Sequence, residues 1–291
     1  MQTCLAISNA SAGSSDERTI GQVLDALRET CDVTHVATRD PEHLAETLAA
    51  HPDVDLVVSM GGDGSLHAVV QALHDAGRLP DTPVGLVPLG TGNDFARTLE
   101  LDEDPVAAAR AMAAGRVRRI DVLLDGDGTV VVNAAHVGIG AEAAARAEPV
   151  KRFLGPLAYV VGAVSTLFTP AADVRVTIDG KRLEGRVAQV AVGNGRFVGG
   201  GGELLPRAIV DDGAMDVAVA FAATVRQRIL YALHLRRGTH PDQDFVHYTR
   251  AATVEVTGEH TRCTTDGELS DPRAEHRWDV VPDGLAMRLP A

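Results

Sequence analysis

Two glycine-rich turns constrain this chain more than any other feature, Met60-Gly-Gly-Asp-Gly-Ser65 and Pro88-Leu-Gly-Thr-Gly-Asn-Asp94. Each follows a short apolar, β-branched run (residues 54–59 and 84–89) and opens into a helix-like segment. The interval from Gly61 to Gly90 suits one helix plus one strand. The turns are therefore expected as successive crossovers of one parallel sheet, both at the C-terminal ends of their strands. A sheet edge with free backbone N–H groups, helix N-termini and the side chains of Asp63, Asn93 and Asp94 suits a nucleotide phosphate and a metal ion. Glycine lets the backbone approach phosphate oxygens without a Cβ clash. Asp63 beside a phosphate is repulsive unless a divalent ion or a transferable proton intervenes. Neither turn reads G-x-x-x-x-G-K-[ST], nor G-x-G-x-x-G after the first strand, so the phosphate chemistry is of another kind. Taken alone, residues 61–65 also read as a tight turn with Ser65 as a helix N-cap.

Around these turns, strands at 3–8, 33–38, 54–59 and 84–88 alternate with helices at 16–30, 41–51, 66–76, 95–99 and 106–115. Ile20, Val23, Leu24 and Leu27 fall on one helical stripe. The alternation predicts an open, doubly wound α/β domain over residues 1–122. Beyond Asp121 the texture changes to β-branched runs, with Asp-Gly pairs at 125, 127, 179, 212, 266 and 283. Asp-Gly is a favoured hairpin turn. Residues 123–291 are thus expected as a β-rich, sandwich-like domain with helical insertions near 140–169 and 224–237. The extreme C-terminus is free to pack back on the first domain.

A length of 291 residues suits two domains. The net charge of −13 argues against nucleic acid as a partner, since phosphate neutralisation needs clustered cations. Residues 1–122 carry 19 acidic and 9 basic side chains, and 123–291 carry 21 and 18. Contact with an anionic surface is therefore expected from the second half. Only Lys151 and Lys181 among 27 cations are lysines, and a lysine offers a compact point charge that a guanidinium does not. Three scattered cysteines, Cys4, Cys31 and Cys263, suggest a reducing cytoplasm rather than a disulfide or zinc framework. The N-terminus has no basic n-region, so no signal peptide is expected. Residues 153–172 run uncharged, but Gly155, Pro156, Gly162 and Pro170 favour a buried or cleft-lining helix over a membrane span. The eleven histidines show no ligand spacing.

The combination Gly61-Gly-Asp-Gly-Ser-Leu-His67 with Pro88-Leu-Gly-Thr-Gly-Asn-Asp-Phe-Ala96 resembles the diacylglycerol kinase catalytic family. The likeness is strongest to bacterial soluble lipid kinases related to sphingosine and ceramide kinases. Asn9-Ala-Ser-Ala-Gly13 resembles that family's first phosphate loop, with Ala10 where proline is usual and Ser14 where lysine is frequent. The glycine stretch 199–213 and Thr265-Asp-Gly-Glu268 resemble its second-domain motifs.

The resemblance implies an N-terminal domain of the phosphofructokinase and NAD-kinase type, a C-terminal β-sandwich, and an active site in the cleft between them. It implies ATP lying against Asn9, Ala10, Ser11, Ala12, Gly13, Thr38, Gly61, Gly62, Asp63, Gly64, Ser65, Leu66, His67, Thr91 and Asn93. Magnesium would be held through Asp63 or Asp94 and the phosphates. Glu268 is implied as the base that receives the hydroxyl proton, with Asp63 as rival. A further Mg2+ site is implied at Asp212 with backbone oxygens of Ile209 and Ala214, and Lys151 as a charge that neutralises an acidic cluster between the domains. Asp212-Gly213 and Asp266-Gly267 each also read as plain turns.

The resemblance implies a lipid hydroxyl as acceptor, with diacylglycerol, phosphatidylglycerol, a sphingoid base and an isoprenoid or glycolipid alcohol all open. The expected setting is cytoplasmic and peripherally membrane-associated, and a homodimer is allowed. An NAD kinase or phosphofructokinase relative shares Gly-Gly-Asp-Gly. The first carries an Asn-Glu pair where this chain has Gly-Thr-Gly-Asn-Asp-Phe, and the second an Asp-Asn-Asp motif absent here. An inactive lipid-binding regulatory protein of the same fold is the rival from another class, and intact Asp63, Asn93, Asp94 and Glu268 favour an enzyme.

Overall fold

The computed structural model describes residues 2–10, 14–139, 141–142, 171–222 and 224–291. Their chain divides into two compact units, Met1–Val122 with Pro282–Ala291, and Leu123–Val281.

In the first unit, strands β1 (Gln2–Asn9), β2 (Cys31–Thr38), β3 (Leu56–Gly61) and β4 (Val84–Pro88) form a parallel sheet in the order β2-β1-β3-β4. Helices α1 (Ser14–Arg28), α2 (Pro41–Ala50), α3 (Asp63–Asp75), α4 (Asp94–Thr98) and α5 (Pro105–Ala113) connect or follow them. β3 and β4 are buried on both faces, as parallel strands under helices must be. Ile20, Val23, Leu24 and Leu27 of α1 pack with Ala6, Val58, Met60 and Met112 in one core, which realises the stripe seen in the sequence. Asp40 and Asp104 cap α2 and α5, accepting from the His43 and Ala107 N–H groups at 2.8 and 2.7 Å, each with proline in the first turn.

The strand order reverses between β1 and β3, which in open α/β sheets is where ligands bind. Register puts Asn9 opposite Thr38, Ser8 opposite Met60 and Gly61 opposite Pro88, so four strand ends share one edge. The C-terminal strand returns to this unit. Met287 pairs with Val84, and Arg288 donates to the carbonyls of Met112 and Ala113 and to Gln2 Oε1 at 3.2, 2.9 and 2.9 Å.

Strand β5 (Arg116–Asp125) leads into the second unit, where β6 (Val130–Val131), β7 (Ala134–Gly138), β8 (Val174–Ile178), β9 (Lys181–Leu183), β10 (Gln189–Gly193), β11 (Phe197–Val198), β12 (Gly202–Glu203) and β13 (Met215–Ala220) follow. After helix α6 (Val225–Leu235) come β14 (Val246–Ala251), β15 (Thr253–Thr261), β16 (Cys263–Thr265), β17 (Glu268–Leu269) and β18 (Arg273–Leu289). One antiparallel sheet has the order β14-β13-β10-β7-β16-β17, and a second runs β18-β15-β8-β9. Val137, Val190, Val192, Val217 and Val219 of the first meet Val176, Ile178, Val254, Val256 and Trp278 of the second in a single core. This is a β-sandwich.

Three local expectations need adjustment. The helix placed at 66–76 begins at Asp63, and its N-cap is Gly62 rather than Ser65. No side chain caps it, and Asp63 in the first turn meets the helix dipole instead. Asp179-Gly180 and Asp266-Gly267 do turn hairpins, with the paired positive φ values that tight turns demand. Asp283-Gly284 does not; it lies inside β18, where the Asp283 N–H donates to Asp121 Oδ1 at 2.9 Å. No helix among the described residues is long and apolar enough to cross a membrane, and most of the uncharged segment 153–172, like the 140–169 insertion, lies outside them.

Arg288 ties the last strand to the first unit through three acceptors. Arg288→Ala is expected to destabilise the protein by about 2 kcal/mol, since hydrogen bonds involving a charged group contribute about 1.5–3 kcal/mol. Urea unfolding followed by circular dichroism measures it.

Candidate active site

The two glycine turns meet backbone to backbone. A Cβ built on Gly90 would stand 2.5 Å from Gly62 Cα and 2.8 Å from Asn93 Oδ1, so no larger residue fits there without moving a turn. The Leu89 N–H donates to the Gly61 carbonyl at 3.0 Å. Asn93 takes a left-handed conformation (φ 51°), and its side chain closes the second turn on itself. Oδ1 accepts from the Gly90 N–H at 3.0 Å and Nδ2 donates to the Gly90 carbonyl at 2.8 Å.

Asp63 joins the turns. Its Oδ2 accepts from the Asp94 N–H at 3.0 Å and its Oδ1 from the Phe95 N–H at 2.9 Å. A carboxylate in the first turn of α3 therefore satisfies the leading N–H groups of α4, which have no acceptor within their own helix. Asp94 is buried, and its Oδ1 accepts from Arg97 at 3.0 Å, while Arg97 also donates to the Gly92 carbonyl at 3.2 Å. Each oxygen of Asp63 keeps a further lone pair, and the side chain is half-buried, so a cation beside it is chemically compatible. Asp94 is less open, because Arg97 already neutralises it.

The remaining nucleotide-site expectations fall as follows. Asn9 and Ala10 lie exposed at the end of β1, and the Ala10 N–H donates to the Thr38 carbonyl at 2.9 Å. Thr38 is half-buried at the neighbouring strand end. Gly61, Gly62, Gly64, Ser65 and Thr91 sit at or next to the same edge, whereas the side chains of Leu66 and His67 are buried in the first unit. Ser11, Ala12, Gly13 and Lys151 lie outside the described residues.

In the second unit Asp266 and Glu268 separate into different roles. Asp266 is buried, and its carboxylate accepts from the N–H groups of Val132, Asn133 and Ala134 at 2.8, 2.9 and 3.0 Å. That fixes the β16–β17 hairpin against the start of β7. Glu268, two residues on, is exposed. It lines a cavity of about 180 Å³ with Asp125, Ser270, Arg273, His276 and Arg277. Burial lowers the His276 pKa below its usual value. Cys263 lines the same cavity, but burial pushes its thiol up to about 12, so it is no thiolate nucleophile at neutral pH.

Asp212 does not present an open donor set for a metal. Its Oδ1 accepts from the Ala214 N–H at 3.2 Å, and its solvent-shielded Oδ2 pairs with the Arg250 guanidinium. Ile209 and Ala214 flank it on the same turn, but the positive charge there is already supplied by the protein. Among the described residues no three His, Cys, Asp or Glu side chains group as metal ligands.

Sequence reasoning did not assign the bonds made by Asp266, Arg97 and Arg250. Asp266 was visible as part of Asp-Gly-Glu, but its three acceptor contacts join residues 132–134 to 266, a separation no local pattern reveals. Arg250 reaches Asp212 because β13 and β14 pair Asp216 with Arg250.

The two units correspond to two known domain families. Residues 3–124 match the model of the diacylglycerol kinase catalytic domain, and residues 133–288 that of the YegS C-terminal NAD kinase beta sandwich-like domain. A Stenotrophomonas maltophilia protein named "Probable lipid kinase YegS-like" is 32% identical over 247 residues, 82% of this chain and 80% of its own. The "Diacylglycerol kinase" of Bacillus subtilis is 32% identical over 241 residues, 81% of this chain and 78% of its own. A crystal structure of a diacylglycerol kinase from Bacillus anthracis shares the fold, with TM-score 0.77 and 23% identity over 99% of this chain and 97% of that one. The chain belongs to the diacylglycerol kinase catalytic family with a YegS-type C-terminal domain, and it is a kinase of that lipid-kinase family.

Gly90→Ala tests the contact between the turns. Overpacking costs about 1–3 kcal/mol, so the variant is expected to unfold at a lower temperature and to bind a fluorescent ATP analogue more weakly, as titration would show.

Proposed function

We propose that this chain transfers the γ-phosphoryl group of ATP to the hydroxyl of a lipid alcohol, diacylglycerol or a close relative, with Mg2+ as the counter-charge. The observation that carries the reading is Asp63 bridging the two glycine turns at the ends of β3 and β4, next to the switch point of the sheet. The arrangement supports it because phosphoryl transfer is mostly positioning and charge stabilisation, and the bridge makes the glycine edge rigid before substrate arrives. The names of relatives in Stenotrophomonas maltophilia and Bacillus subtilis support the lipid acceptor.

Each residue has a defined task in this scheme. Gly61, Gly62 and Gly64, with Thr91 and Gly92 on the second turn, leave backbone N–H groups and helix N-termini accessible to phosphate oxygens. Asn9 and Thr38 border the same edge beside β1 and β2. Asp63 and the ATP phosphates would hold Mg2+, which supplies neutralisation of the charge shared by the transferring group. Glu268 takes up the proton released by the acceptor hydroxyl. Its exposure and its place on the wall of the cavity beside Arg273 and His276 support that role, while Asp266 holds its hairpin still. Asp94, paired with Arg97, keeps the α4 end in place for the transfer.

Two substitutions separate these tasks. Asp63→Asn leaves one acceptor oxygen but points an N–H₂ donor at a second backbone N–H. Turnover of ATP with a diacylglycerol-containing micelle should fall by about 10²–10³-fold, the usual loss for one preorganised electrostatic contact. A variant with full turnover would remove Asp63 from the mechanism.

Glu268→Gln should keep ATP affinity within a few-fold and lower lipid phosphorylation by about 10²–10⁴-fold, the worth of a positioned base. Isothermal titration with ATP and a radiolabelled lipid assay read the two effects separately. Lost ATP binding with retained turnover would make Glu268 a structural residue of the nucleotide site.

A further inference from the structure

Five large hydrophobic side chains are exposed among the described residues, and three of them, Val225, Ile229 and Leu233, lie on α6. They are spaced i, i+4 and i+8, so they form one stripe along the helix. Their exposures are 41, 43 and 55%, well above what core packing leaves. The opposite side of α6 is anchored. Arg228 and Tyr231 are buried, Leu235 packs against the cluster of Leu204, Leu205 and Ala208, and Arg228 Nε donates to the Ala222 carbonyl at 3.0 Å. A capping box between Thr224 and Gln227 fixes the first turn. The stripe is therefore held outward by a well-packed inner face.

The sequence that carries the stripe is one-sided in charge, and the Glu203 carboxylate lies beside Gly238 past the end of α6. Residues 217–241 contain four arginines and no aspartate or glutamate, in a chain whose net charge is −13. Arg226, Arg236 and Arg237 are exposed, and none forms an ion pair among the described residues. On a helical projection Arg226 borders the aliphatic stripe, while Arg236, the C-cap, continues its line and Arg237 follows in the turn beyond. An apolar stripe edged by cations is the pattern of a helix lying in a lipid interface, where aliphatic groups enter the headgroup boundary and guanidinium groups meet phosphate.

We propose that the outer face of α6 docks this protein on an anionic membrane surface, with Val225, Ile229 and Leu233 entering the interface and Arg226, Arg236 and Arg237 binding lipid phosphates. The acidic remainder of the chain is repelled by the same surface, so attachment is confined to this face and weakens with salt. The inference rests on the lipid-kinase reading for its purpose, since an acceptor buried in a bilayer must be met at the interface.

The test is co-sedimentation of the full chain, without ATP, with vesicles of phosphatidylcholine alone or mixed with phosphatidylglycerol. Phosphoryl transfer to a short-chain acceptor in detergent is measured separately, so docking and kinase activity can fail independently. Wild type should bind the mixed vesicles and release in high salt. Arg236→Gln/Arg237→Gln should weaken binding about 10- to 30-fold, from about 1 kcal/mol per cation near an anionic surface. Ile229→Ser/Leu233→Ser should weaken it about tenfold or more, with detergent activity and circular dichroism unchanged. Equal binding to neutral vesicles, no vesicle binding by wild type, or variants that bind as well as wild type would overturn the proposal. So would a wild-type dimer that dissociates in the serine variant by analytical ultracentrifugation, because the stripe would then be an interface between copies.

Discussion

The geometry of the nucleotide-type edge depends on where the Asp63 carboxylate spends its two oxygens. Both accept backbone N–H groups from the start of α4, a helix of one turn that has few hydrogen bonds of its own. A neutral acceptor there would leave the amide ends of α4 less well compensated, since charge-assisted bonds are roughly twice as strong as neutral ones. The same contact draws Gly92 close to the carboxylate and presses Gly62 against Gly90. Two loops far apart in sequence become one surface, and glycine is required wherever the backbones touch.

The second unit repeats the device with different residues. Asp266 is buried, yet three N–H donors of residues 132–134 surround its carboxylate. A buried charge is tolerable only when such donors replace water. The same three bonds offset the cost of burial and fix the hairpin that carries Glu268, which is exposed and lines the cavity of the second unit. In both units one acid holds the backbone while another acidic side chain nearby, Asp94 or Glu268, differs from it in exposure and partners. That division gives neighbouring carboxylates unlike surroundings.

A guanidinium also closes a turn in the second unit. Asp212 lies on a turn where the family resemblance implied Mg2+, but the Arg250 guanidinium covers one oxygen and the Ala214 N–H occupies the other. A fixed guanidinium differs from a metal in being independent of the medium and in offering planar donors rather than an octahedral shell. Elsewhere in the unit arginines take the opposite part and remain exposed beside aliphatic groups on α6. The same residue type thus closes a turn in one place and faces outward in another, according to whether a carboxylate lies across the strand pair.

The sequence by itself determined the class of fold. Short apolar runs alternating with one-sided helical stripes left little alternative to a doubly wound sheet, and Asp179-Gly180 and Asp266-Gly267 marked real hairpins, because these signals depend on a few adjacent residues. The pairing of Gly61-Gly-Asp-Gly with Gly90-Thr-Gly-Asn-Asp was legible too, and register confirms that their strands end together. Only the tertiary structure decided that Asp63 caps a second helix, that Ser65 is not a cap, and that Asp283-Gly284 lies within a strand rather than at a turn. It alone showed that Asp212 meets Arg250 and that Val225, Ile229 and Leu233 face outward. Each of those outcomes depends on which distant backbone N–H, guanidinium or core surface arrives beside the residue, and hydrogen bonds over separations such as 266 to 132 leave no periodic trace in the chain.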